Sequence, residues 1–205
     1  MKVLIVTGGI GSGKSQVCKM LEQSYGIPVY EADSRAKLLY SEVPGMLEAL
    51  EASLGAGLRD ENGGFFPQKL AQIIFSDSGA LKKVEDILFP AMMDDFESWA
   101  NRSGKEVVAF ESATVLEKPQ FDGFGDIVLL VDAPVDVRLA RASQRDGVAD
   151  EKILDRMRAQ KLMNRLSQGE TIPRIDHRIV NDSTLEDLSE KLADFIGKYG
   201  LTKML

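Results

Sequence analysis

One cysteine and one histidine, Cys18 and His177, are the whole supply of residues that staple a chain or bind soft metals. A lone cysteine closes no internal disulfide. The two together fall short of the four ligands that a structural zinc site takes. Long apolar runs are missing as well. No stretch nears the ~18–20 residues of a membrane helix. The first apolar run, Val3 to Thr7, is strand-like and too short for the core of a secretory leader. Positive charge is scarce too: 25 Lys plus Arg stand against 32 Asp plus Glu, a net charge of −7, which argues against nucleic acid as a main partner. The expectation is a cytoplasmic protein, a monomer or weak homo-oligomer, with no membrane and no nucleic-acid partner.

What is present suits one domain. The chain has 205 residues, 44% of them hydrophobic and 28% charged, enough for a core of ordinary size. No internal repeat or low-complexity tract interrupts it. The charge is uneven. From Arg138 to Arg178 there are ten basic and six acidic residues, against 15 and 26 elsewhere. Most such runs are solvated helix faces. A protein that handles polyphosphates needs cations near them, however.

Residues 8 to 15 supply the reason to expect polyphosphate. They read Gly-Gly-Ile-Gly-Ser-Gly-Lys-Ser, between the apolar run Val3 to Val6 and a helical pattern from Gln16 to Gln23. Strand, G-x-x-x-x-G-K-[ST] loop and helix, in that order, make a phosphate cradle. Gly8, Gly11 and Gly13 free the backbone for conformations closed to other residues. The loop N–H groups converge on an anion, and the following helix adds its positive end. Such a loop cradles the phosphates of a nucleoside triphosphate. Lys14 reaches the β- and γ-phosphates in such loops, and the Ser15 hydroxyl binds Mg²⁺.

Five apolar runs read as strands: Val3 to Thr7, Pro28 to Tyr30, Val107 to Phe110, Ile127 to Val131 and Arg178 to Val180. Runs that stay apolar throughout belong to a parallel sheet covered on both faces. The expected fold is α/β: a P-loop NTPase fold, a five-stranded parallel sheet flanked by helices, over 1–205. Residues 42–103 read as a helical insertion that could hold a second substrate or serve as scaffold. Residues 138–170 read as a lid, with one helix carrying Arg138, Arg141 and Arg145 and a second from about Asp150 to Gln168. Ser183-Thr184-Leu185-Glu186 reads as a capping box, with Leu185, Leu188, Leu192 and Ile196 as the core stripe of the last helix.

A phosphate loop alone admits switches, motors and kinases. The chain has no Asn-Lys pair of the guanine-specific type and is small for a motor. Arginines after the fourth strand suit a kinase lid that neutralises a transferring phosphoryl group. Asp33 follows the second strand, at the sheet edge where α/β proteins place their chemistry. It is the first choice to orient an acceptor hydroxyl and take its proton, and it also suits a helix N-cap. Glu111 is the weaker choice. Asp132 is expected to cap the next helix, His177 to be structural and Cys18 to be buried. A kinase for some other small molecule, and a nucleotide-dependent switch without acceptor, stay open.

Thr7 to Ser15 resembles the N-terminus of the dephospho-CoA kinase family. Glu31-Ala32-Asp33 is similar to that family's Asp-Ala-Asp, and Leu116-Glu117 to the end of its Pro-Leu-Leu-Phe-Glu segment. Val131-Asp132-Ala133-Pro134, Arg141, Gln144-Arg145-Asp146 and Gln160 resemble its fourth strand and lid, and Asp176 to Asn181 its closing strand. The likeness implies transfer of the ATP γ-phosphate to the ribose 3′-hydroxyl of dephospho-CoA, with Mg²⁺. It implies Gly11, Ser12, Gly13, Lys14, Ser15 and Gln16 on ATP, with Ser15 at Mg²⁺, Asp33 as base, Lys14 and Arg145 at the reacting phosphates, Arg141 on the nucleotide, Asn181 near the adenine side and Gln160 in the second lid helix. Three positions depart from the family pattern: Glu31, Ala113 and Phe89. All three belong to the acceptor side.

Overall fold

Near-continuous apolar runs fold here as parallel strands. In the computed structural model, which describes residues 1–77 and 79–202, the elements run β1 (Lys2–Gly8), α1 (Lys14–Tyr25), β2 (Val29–Glu31) and α2 (Ala32–Glu42). Then come α3 (Met46–Leu54), α4 (Pro67–Ser76), α5 (Ala80–Ser103), β3 (Val107–Glu111) and β4 (Ile127–Asp132). The chain closes with α6 (Val135–Asp146), α7 (Asp150–Arg158), α8 (Lys161–Ser167), β5 (His177–Val180) and α9 (Leu185–Tyr199). The chain divides into two compact units, Met1–Glu31 with everything from Lys105 onward, and Ala32–Gly104.

The first unit holds one five-stranded parallel sheet in the order β2-β3-β1-β4-β5. Side-chain alternation sends Leu4 and Val6 of β1 to one face, where Val17, Cys18 and Leu21 of α1 and Leu188, Leu192, Phe195 and Ile196 of α9 cover them. The opposite face carries Leu130 against Leu162 and Met163 of α8. There Phe110 stacks on Tyr30 at 5.4 Å and meets Phe124 edge-on at 5.0 Å. The strand order reverses around β1, and at such a switch point ligands bind beyond the C-terminal ends of the strands.

Three local expectations are corrected. The helix expected from Asp150 to Gln168 is two, α7 and α8, because Gln160 leaves helical geometry at ψ 99°. The cap of α9 is Thr184, whose hydroxyl accepts from the Asp187 N–H at 3.2 Å, one position later than the expected box. Leu185, as the first residue of that helix, is therefore 57% exposed and no part of its stripe.

The second unit is helical. Val84, Leu88, Met92, Phe96 and Ala100 recur every fourth residue along α5 and are buried. With Leu39 of α2 and Leu47 and Leu50 of α3 they make up much of this unit's apolar interior. Arg35 of α2 grips Asp95 of α5 through two hydrogen bonds, of 2.9 and 2.8 Å.

Candidate active site

The glycine loop leaves β1 at the switch point and runs into the first turn of α1. The Ser12 N–H closes back on the Gly9 carbonyl at 3.2 Å, and the Gln16 N–H on that of Gly13 at 3.0 Å. The opening N–H groups of a helix have no carbonyl a turn earlier to bond, so the start of α1 presents donors to an anion. Gly13 has φ +100°, and a Cβ there would lie 2.1 Å from the Asn181 side-chain nitrogen. Backbone conformation and close approach both require glycine at this position.

Lys14 Nζ donates to the carbonyls of Gly8 and Gly9, at 3.0 and 3.3 Å, and lies 3.8 Å from a Glu111 oxygen. A cavity of about 260 Å³ opens over the loop, lined by Gly9, Gly11 to Gln16, Arg141 and Arg145. The structure thus brings together Gly11, Ser12, Gly13, Lys14, Ser15, Gln16, Arg141 and Arg145. Arg141 also donates to the Asn181 carbonyl at 3.0 Å. Arg145 is paired with Asp146 through contacts of 2.7 and 3.2 Å, and Asp146 also accepts from Arg156 at 2.6 Å. The two guanidiniums hold the Asp146 carboxyl down at a pKa of about 2.

Asn181 lies against the loop itself. Its side-chain N–H donates to the Ser12 carbonyl at 2.9 Å, and the residue is buried. It braces the loop from behind and is not among the residues that line the cavity. Asp33 stands in the first turn of α2, in the second unit and two residues past the end of β2. Asp132 does not cap α6, whose N-cap is Pro134. Its carboxylate accepts from the Ala133 N–H at 2.8 Å and from Arg178. β4 and β5 set Arg178 beside Leu130, so it sits diagonally from Asp132 on the same face.

Sequence reasoning missed a buried pair behind the loop. Arg138, counted among the basic lid residues, is 5% exposed and donates to the Ile10 carbonyl at 2.9 Å. Gln160 accepts from the Ile10 N–H at 2.9 Å and from Arg138 at 3.2 Å. One signal was available: Arg138 precedes the buried Ala142 by four residues, which puts it on the buried face of α6. Cys18 is buried as expected, and burial, helped by Glu111 and Glu31, pushes its thiol far above the ordinary range.

The oxygen donors fit a hard divalent cation. Ser15 is an exposed hydroxyl in the first turn of α1, and Glu111 ends β3 near Lys14. Magnesium keeps several waters and takes only one or two protein oxygens alongside substrate phosphates. Among the described residues no group of three or more His, Cys, Asp or Glu forms a metal cage. That set suits a cation that arrives with a nucleotide.

A glycine loop at the switch point of a parallel sheet, with its lysine and two arginines around one cavity, defines a P-loop kinase. A family model described as dephospho-CoA kinase matches residues 2–187. The dephospho-CoA kinase of Porphyromonas gingivalis is 39% identical over 176 residues, covering 86% of this chain and 84% of that one. That of Salinibacter ruber is 36% identical over 196 residues, covering 95% and 96%. Among solved structures, TT1252 from Thermus thermophilus superposes with a TM-score of 0.79 at 28% identity, covering 96% and 97% of the two chains. Shikimate kinase from Acinetobacter baumannii, at TM-score 0.54 and 18% identity, shares the fold alone. The chain belongs to the dephospho-CoA kinase family.

Proposed function

We propose that the chain transfers the γ-phosphoryl group of ATP to the ribose 3′-hydroxyl of dephospho-CoA, giving coenzyme A and ADP, the last step of coenzyme A synthesis. The observation that carries this reading is the cavity in which Lys14, Ser15, Arg141 and Arg145 meet the glycine loop, on a chain of this family. The loop N–H groups and Lys14 hold the β- and γ-phosphates, and Arg141 and Arg145 neutralise charge as it spreads over the phosphoryl oxygens. The 3′-oxygen forms its bond to the γ-phosphorus in line with the bridging oxygen, whose bond breaks to release ADP. Asp33 takes the hydroxyl proton. Ser15 would hold Mg²⁺, which when bound would supply electrostatic stabilisation of the phosphates.

In this reading the helical unit Ala32–Gly104 receives the acceptor, and residues 138–170 serve as the lid over the nucleotide. The substrates are small molecules met in the cytoplasm. Among the described residues no helix is long and apolar enough to cross a membrane. The test is ADP formation from Mg-ATP with and without dephospho-CoA, with the product mass measured. Acceptor-dependent ADP and one added phosphate are expected. Transfer only to another hydroxyl compound would overturn the acceptor assignment, and nucleotide binding without any transfer would make the protein a switch.

A further inference from the structure

Ile10, at the tip of the phosphate loop, is held on three sides by the arginine-bearing helices. Its N–H donates to Gln160 Oε1 at 2.9 Å, and its carbonyl accepts from Arg138 Nε at 2.9 Å. Its side chain packs against the small apolar cluster of Ala142 on α6 with Ile153 and Met157 on α7. Arg138 and Gln160 are joined to each other at 3.2 Å, which closes the circuit. Both are buried, Arg138 at 5% and Gln160 at 9% exposure. Burial of Arg138 works against its charge and lowers its pKa. A charged group kept dry at such a cost needs its hydrogen bonds.

Two further features mark the clamp as built. Gln160 breaks what would otherwise be one continuous helix: it caps α8 at φ −80° and ψ 99°, and its side chain reaches back to the loop. The second feature is Gly9, which occupies a free position of the G-x-x-x-x-G-K-S pattern. A Cβ there would lie 2.1 Å from an Arg138 guanidinium nitrogen, and its three nearest atoms all belong to that guanidinium. The loop is thus bare of side chain where Arg138 lies across it.

We propose that Arg138 and Gln160 are positioning residues that lock the tip of the phosphate loop to the base of α6 and α8, and so hold its N–H groups in the geometry that takes the β-phosphate. Neither residue need touch the nucleotide. Ile10 cannot turn its N–H toward a phosphate while Gln160 holds it, so the cradle is left to the N–H groups downstream. The clamp also ties the loop to the helix that carries Arg141 and Arg145. A shift of that helix is therefore felt in the loop without any contact through the ligand.

The inference rests on the loop binding nucleotide phosphates, as proposed above, and the test separates the two. Binding of ADP and of AMP is measured on the whole protein, with the ATP and acceptor KM values, for wild type, Gln160→Met and Gly9→Ala. Gln160→Met keeps bulk and removes the acceptor atom. Gly9→Ala keeps both partners and sets a Cβ 2.1 Å from the guanidinium, and it serves even if Gln160→Met fails to fold. Because Gly9 also lines the cavity and its carbonyl takes Lys14, its effect counts for the clamp only where AMP binding and the acceptor KM stay at their wild-type values. Loss of one or two such hydrogen bonds predicts about five- to tenfold weaker ADP binding and a matching rise in ATP KM. AMP lacks the β-phosphate, so its binding and the acceptor KM should be unchanged. Equal weakening of AMP and ADP, or a fall in kcat with unchanged ATP KM, would reduce the pair to general packing and overturn the proposal. If wild type binds ADP and Gly9→Ala binds it equally well, the clamp fails alone. If wild type binds no ADP, the functional reading fails with it.

Discussion

Asp33 and His177 show how differently two titratable side chains serve one protein. Asp33 stands in the first turn of α2 and is not among the residues that line the cavity over the loop. Asp33→Asn should therefore leave ADP affinity within about twofold and lower kcat by roughly 10²–10⁴, the range for loss of a general base. Paired titration calorimetry and turnover decide this, and near-wild-type turnover would remove Asp33 from the proton's path. His177 opens β5, at the strand end opposite the loop, with its ring 5.2 Å from that of Phe195 and 5.9 Å from that of Tyr199. Burial, with Lys198 second, lowers its pKa below the ordinary 6.5. The folded state thus binds a proton less readily than the unfolded chain. The stability this contributes is complete above the unfolded pKa and is lost as pH falls through the folded one. Urea midpoints of wild type should fall between pH 7 and 5, and His177→Phe should flatten that part of the curve. An identical slope in the variant would assign the acid loss to other groups.

At the scale of elements, strands were legible and junctions were not. Every expected strand lies within one residue of its observed span at each end, and the three central ones, β1, β3 and β4, were the plainest because they are near-continuous apolar runs in the middle of a parallel sheet. The glycine loop and its lysine were legible because few sequences meet both spacing and flanking elements. The break at Gln160 was hidden, since Ile153, Met157 and Met163 keep a helical period straight through it. At the break the Gln160 side chain accepts from a partner 150 residues away, the Ile10 N–H. Asp132 misled likewise: its nearness to α6 in sequence suggested a cap, and the partner came from β5. The junction after β5 hid a contact as well: Asn181 follows the strand's last residue, and its amide holds the Ser12 carbonyl. Asn181→Leu keeps the volume and orphans that buried carbonyl. The cost should be about 1–3 kcal/mol in urea unfolding, with ADP affinity reduced several-fold as the loop loosens. Unchanged stability would mean that the carbonyl finds another donor.

For the molecule as a whole, the question is how a chain of net charge −7 holds a polyanion. The basic segment 138–178 pointed to an answer, and the structure narrows it. Several of its cations already have partners: Arg156 pairs with Asp146, Arg158 with Asp155, Arg165 with Glu170 and Arg178 with Asp132. Arg138 is buried behind the loop, and Arg141 and Arg145 line the cavity together with Lys14 of the loop itself. The opposing acidic surplus is spread over the rest of the sequence. At about 0.1 M salt, charges more than ~10 Å away are largely screened, so the three cations in contact range should outweigh it. Raising ionic strength from about 0.05 to 0.3 M should then increase ATP KM by roughly two- to fivefold, since salt weakens the local attraction more than the remote repulsion. Arg141→Met should start from a higher KM and respond less steeply to salt. A KM that falls as salt rises would mean the opposite balance, with the acidic bulk of the chain repelling ATP and the cavity arginines already neutralised by their partners.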